Sequence, residues 1–133
     1  GIVFSFQYLP SEVKDVPVTT YFRLSDYAGA NVYFVDANNN KANEILNNLN
    51  AYLLSYQEAC LEGQPCERDL PVKSCATDKM IVYREVKNSA NSDVDPSEFF
   101  GETKVTQQEN CVYLEGESIK ASDAFLYKIL DIN

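Results

Sequence analysis

The sequence predicts an α/β or α+β domain: a single mixed sheet of about five strands, one long helix, one shorter helix, and a disulfide staple. Three observations predict it. Short β-branched and aromatic runs recur along the chain, two of them lead directly into stretches with helical apolar spacing, and four cysteines stand at Cys60, Cys66, Cys75 and Cys111. Strand-to-helix units that repeat in one chain place their helices against the face of a shared sheet.

The elements are read in chain order. Ile2, Phe4, Phe6 and Tyr8 alternate with smaller or polar residues, so residues 2–8 read as a strand with one apolar face, ended by Pro10. Its expected host is the chain's own sheet, with donation to another copy as the alternative, and these four residues form a candidate assembly strand. Residues 18–24 (VTTYFRL) read as a second strand, and the short run Val32-Tyr33-Phe34-Val35 as a buried central one. Ala42, Ile45, Leu46, Leu49, Tyr52, Leu53, Tyr56 and Cys60 then recur at three- and four-residue steps, which predicts a long helix whose Asn43, Asn47, Asn48 and Asn50 face water. Asn38 or Asn39 caps its start, and Gly63 suits its end. Residues 64–79 read as a stapled loop and residues 80–86 (MIVYREV) as a strand. Asp95-Pro96-Ser97-Glu98 has the order of a capped single helical turn. Residues 103–106 pair locally, Cys111 to Glu115 form a last strand, and Ser118 or Ser122 opens the closing helix.

Length and composition bound the function. At 133 residues the chain fits one domain, 1–133, and 45% hydrophobic content with nine Tyr and seven Phe supplies a core. A formal charge of −9, from 11 basic against 20 acidic residues, argues against nucleic acid and anionic membrane surfaces. No run approaches a membrane span, and the opening residues lack the basic leader of a signal peptide. The chain reads as a trimmed product that meets a membrane only through an anchor outside these residues. The even cysteine count without a C-x-x-C pair predicts two disulfides and an extracytoplasmic, oxidising location, secreted or at the cell surface. Of the three pairings, Cys60 to Cys66 with Cys75 to Cys111 is preferred, the four thiols gathering at one pole.

The chain has no histidine, which removes the commonest general base, proton shuttle and metal ligand. No nucleophile elbow and no glycine-rich phosphate loop is present, so neither a catalytic residue nor a cofactor is assigned. The one constellation that the topology could assemble is an acidic rim. Both strand-to-helix units end their strand in an acid, so Asp36 and Asn38 would meet Glu115, Glu117 and Ser118 if the two strands are parallel. Such oxygens suit calcium, but acids and serines beside helix N-termini are also ordinary caps, worth about 0.3–1 kcal/mol each. The Asp36-x-Asn38-x-Asn40 spacing fails as an EF-hand, with Lys41 where glycine is needed and Asn47 where a bidentate glutamate is needed. The acids at 93–98 follow a capping order that needs no cation.

These readings converge on a non-catalytic extracytoplasmic interaction or structural module, an anchored ectodomain or a surface-assembly subunit, with a protein partner or self-association. The alternatives are a small-ligand or calcium-binding domain using the rim, and an enzyme that works with paired carboxylates.

Overall fold

The computed structural model describes residues 4–38, 40–66, 69–84 and 102–132. Ile2 and the capped turn expected after Asp95 lie outside them. In chain order the elements are a 3-10 turn (Pro10–Glu12), α1 (Leu24–Tyr27), β1 (Asn31–Val35), α2 (Asn43–Leu49), β2 (Ser55–Glu58), β3 (Cys60–Leu61), β4 (Val72–Lys73), β5 (Lys79–Arg84), β6 (Lys104–Gln108), β7 (Cys111–Glu115) and α3 (Ser118–Leu130). Five strands form one sheet in the order β2-β1-β5-β7-β6, and β3 pairs with β4 in a separate two-stranded ladder. Strands β2, β1, β5 and β7 are parallel, whereas β6 joins β7 as an antiparallel hairpin. The mixed α/β sheet with two disulfides is therefore present as expected.

The two faces of this sheet are covered by different materials, and chain handedness explains why. From β1 the chain passes through α2 to β2 on one side, then crosses back over β1 to reach β5 on the other side. Two right-handed crossovers that move in opposite directions must lie on opposite faces. Accordingly Val32, Phe34, Ile81, Tyr83, Val112 and Leu114 pack against Ile45 and Leu49 of α2 and against Ala121, Phe125, Leu126 and Ile129 of α3. On the reverse face Val35, Met80, Val82, Cys111 and Tyr113 meet Tyr33, Leu61 and Cys75. Among its described residues the second crossover contains no helix.

Two disulfides hold that helix-free crossover at its two ends. Cys60–Cys66 lies just beyond the carboxyl end of β2, and Cys75–Cys111 ties the loop before β5 to the first residue of β7. The preferred pairing is the one formed. The thiols do not gather at one pole, however: a parallel crossover must return from the carboxyl edge to the amino edge, so its two staples stand at opposite edges. Main-chain bonds reinforce the second staple, with Asn110 N–H donating to Cys75 O at 3.0 Å and Met80 N–H to Asn110 O at 3.2 Å.

Three expected elements take other forms. The periodic stretch from Ala42 to Cys60 is helical only over Asn43–Leu49, after which Tyr52 N–H bonds Leu49 O in a turn and residues 55–58 become β2. Asparagines are poor helix residues, and pairing with β1 satisfies the backbone of residues 55–58 instead. Leu46, Tyr52 and Leu53 still reach the core, so the helix and the following turn together account for the apolar spacing. The stretch 18–24 contributes one bridge, Val18 to Val105, and then enters α1. Residues 4–9 join no strand of the sheet. They lie instead against the helices, because their backbone finds side-chain partners there.

Removing either staple tests its role. Loop closure over 36 residues against 6 predicts a larger loss for Cys75→Ser/Cys111→Ser, about 4 kcal/mol, than for Cys60→Ser/Cys66→Ser, about 2 kcal/mol. Urea unfolding of the two double variants measures the order. A second test concerns the turn from β7 into α3, where Gly116 has φ 86° and an added Cβ would lie 2.7 Å from Thr103 Cα. Gly116→Ala is expected to cost about 1–3 kcal/mol in the same assay.

Candidate functional site

Two regions bring polar side chains together. The first is a cleft of about 360 Å³ at the carboxyl ends of β1 and β2, lined by Asp36, Asn38, Glu58, Ala59, Gln64 and Leu70 among others. Cys60 of the Cys60–Cys66 staple also lines it. Asp36 stands immediately after β1 with φ 57°, a left-handed conformation that an aspartate tolerates better than most residues. Such a cleft, with acids at its mouth, suits a small polar or cationic ligand.

The expected rim divides between this cleft and other sites. Strands β1 and β7 are parallel, so Asp36 and Glu115 do share the carboxyl edge, but β5 lies between them. Asp36 and Asn38 line the cleft, whereas Glu115 accepts from Thr106 Oγ1 at 3.3 Å. Glu117 accepts from the Tyr8 hydroxyl, and its own N–H donates to Thr103 Oγ1 at 3.2 Å. Ser118 opens α3, and its carbonyl accepts from Ser122 Oγ at 2.7 Å. Among the described residues no group of three or more Cys, Asp or Glu is placed to hold a metal ion. The carboxylates at 93–98 lie outside those residues.

The second region is the groove between α2 and α3, filled by the segment 4–9, which bends at Gln7 and Tyr8 and which we call the strap. Its backbone is recognised atom by atom. Asn48 on α2 accepts from Ser5 N–H at 2.7 Å and donates to Ser5 O at 2.8 Å. Asp123 Oδ2 on α3 accepts from Gln7 N–H at 3.0 Å and Tyr8 N–H at 2.8 Å, and the Tyr127 hydroxyl donates to Tyr8 O. Aromatic contacts alternate with these bonds: the Phe6 and Tyr127 ring centroids are 4.4 Å apart, and Phe4 stacks on Tyr52 at 6.4 Å. Of the candidate assembly strand, Phe4, Phe6 and Tyr8 thus face the helices, and Ile2 lies outside the described residues. The hydrogen bond to Glu117 pushes the Tyr8 phenol up to about 12.

Under the strap two acids meet. Glu44 is 6% exposed and Asp123 is 0% exposed, and their carboxyl groups interact with each other. Burial, then the hydrogen bond to Asp123 and its charge, push Glu44 up to about 7. Burial also raises Asp123, against the hydrogen bonds from Tyr8, Glu44 and Gln7 that favour its charged form. Glu44 Oε2 and Asp123 Oδ1 are buried oxygens with no hydrogen-bond partner. One proton carried by Glu44 and shared with ionised Asp123 satisfies the pair.

The sequence reading missed this cluster. Asn48, placed on the water-facing side by the asparagine pattern, is 2% exposed, because the strap covers the flank of α2 that periodicity leaves to solvent. Asp123 did carry a signal, as an acid inside the apolar run of α3, but nothing in the sequence names its partner. Comparison with known proteins adds no assignment: no family model matches the chain, and neither a curated protein nor a solved structure does.

The cleft and the separated rim lead to a simple expectation. Millimolar calcium leaves the melting temperature unchanged, since Glu115, Glu117 and Ser118 are engaged elsewhere. A rise in melting temperature that Asp36→Asn abolishes would instead place a cation in the cleft.

Proposed function

We propose that the chain is a non-catalytic extracytoplasmic interaction module, secreted or held at a cell surface, that associates through the open edge of its sheet at β2. The two disulfides support the oxidising location. No helix among the described residues is long and apolar enough to cross a membrane, and this reading assigns membrane attachment to an anchor outside them.

The observation that carries the reading is the contrast between the two sheet edges. At β6 the chain covers its own edge: Thr19 N–H donates to Val105 O at 2.9 Å, Val105 N–H to Pro17 O at 2.8 Å, and Tyr21 N–H to Gln107 Oε1 at 3.1 Å. At β2 no strand lies outside among the described residues. Exposed edges attract further strands, and proteins commonly blunt them with lysine, proline or a covering segment. The β2 sequence Ser55-Tyr56-Gln57-Glu58 contains neither lysine nor proline. Leu54 is 71% exposed and Tyr56 48% exposed beside it, an apolar pair that an added strand would cover. The strand is short, so these side chains supply affinity that few main-chain bonds could.

A second reading, the binding of a small polar ligand, is favoured by the cleft at Asp36 and Glu58. The calcium titration addresses its cationic form.

Sedimentation velocity over a concentration series tests the association reading. Concentration-dependent dimers are expected for the natural chain, with a loss of at least about tenfold in affinity for Leu54→Glu/Tyr56→Lys. A chain that stays monomeric at every concentration, or a double variant that associates as before, overturns it.

A further inference from the structure

The groove under the strap contains an arrangement that packing alone does not require. Two carboxyl groups from different helices are buried against each other, and one of them holds two backbone amides of a segment that belongs to neither helix. An apolar pair would fill the same space without an electrostatic cost. The groups facing the pair are also acidic or phenolic. They are Tyr8 of the strap, Tyr127 of α3 and Tyr83 of β5, with Glu12 of the 3-10 turn and Glu117, the residue before α3, acting on Tyr8. The Lys41 main-chain carbonyl accepts from the Tyr83 hydroxyl at 3.2 Å. Around this pair the named side chains add negative charge when they ionise, so a second charge on the pair has no counter-ion among them.

We propose that the proton shared by Glu44 and Asp123 is a latch on the strap: while it is present residues 4–9 are clamped into the groove, and when it is lost the strap lifts. The step is a simple ionisation. Glu44 releases its proton to solvent, two carboxylates then face each other in a buried site, and hydrating them requires the cover above them to open. The cover is the strap, tied down by Asn48, Asp123 and Tyr127 and by the Phe4 and Phe6 rings. Opening uncovers Tyr52, Tyr127 and the polar groups that read the strap's backbone, leaving a groove that binds peptide main chain. This device is independent of the β2 edge.

The sign follows from linkage. The closed state holds the Glu44 proton up to about 7, whereas an exposed glutamate loses it near its ordinary 4.5. Between those values the closed form binds the extra proton, so closure is strongest below about pH 4.5, weakens as pH rises, and reaches its minimum above about pH 7. Full hydration of Glu44 on opening sets the upper limit: ten to the power 7 minus 4.5, roughly a 300-fold change in the open-to-closed ratio.

Amide hydrogen exchange of the full chain, expressed relative to intrinsic exchange at each pH, tests the latch. From about pH 4.5 to about pH 8.5, protection at Gln7 and Tyr8 is expected to fall by up to roughly 300-fold while Val112 in the central sheet keeps its protection. In Glu44→Gln the amide donates permanently to Asp123, so Gln7 and Tyr8 should stay protected across the range. Unchanged protection at Gln7 and Tyr8 in the natural chain overturns the latch. So does a parallel loss at Val112, which marks global unfolding, or an equal pH dependence in Glu44→Gln. The first two outcomes require no variant.

Discussion

One carboxylate organises the helical side of this protein. Asp123 is fully buried on α3, accepts two main-chain N–H bonds from the strap through one oxygen, and interacts with the Glu44 carboxyl of α2. A buried charge is tolerated only when hydrogen bonds compensate it, and here two separate pieces of chain, the strap and α2, meet that carboxyl group. If Asp123 is taken away, Gln7 and Tyr8 lose their acceptor, Glu44 its partner, and α2 its polar tie to α3. The residues that read the strap are meaningful only with that carboxylate in place: Asn48 fixes Ser5, and Tyr127 fixes Tyr8 O one turn of helix beyond Asp123.

The other face of the sheet is built from different physics. Where the crossover from β2 to β5 would ordinarily be a helix, the chain supplies an irregular segment with a two-residue ladder, and covalent bonds replace the missing helical order. Cation–π contacts dress the same surface, with Lys73 Nζ 4.7 Å from the Tyr33 ring and the Arg84 guanidinium 3.9 Å from the Tyr113 ring. The division has a consequence for function. The helical face holds a titratable cluster, the stapled face holds the cleft at Asp36, and the open edge at β2 lies where the two faces meet.

The parts of this architecture that could be read in the sequence are those set by local pattern. Val32 to Val35, Met80 to Arg84 and Cys111 to Glu115 are continuous apolar or β-branched runs, and they form the three central strands. The closing helix follows from Ala124, Phe125, Ile129 and Leu130, and the preferred disulfides follow from the placement of cysteines beside strands. What failed was everything decided by a distant partner. Residues 55–58 fit a helical period but gain more from β1, and Asn48 looks exposed until the strap lies across it. The acidic rim was read from strand ends alone, and the intervention of β5 between Asp36 and Glu115 is a property of sheet order that no local pattern carries. Glu44 and Asp123 are 79 positions apart, so their meeting is equally invisible.

The central claim is that these two acids share one proton in the folded chain, and carboxyl-carbon NMR titration of the natural protein tests it most directly. The Glu44 Cδ resonance should titrate near 7. If Glu44 instead titrates in the ordinary carboxylate range near about 4.3, the pair is hydrated and unshared, and the account of the helical face is wrong.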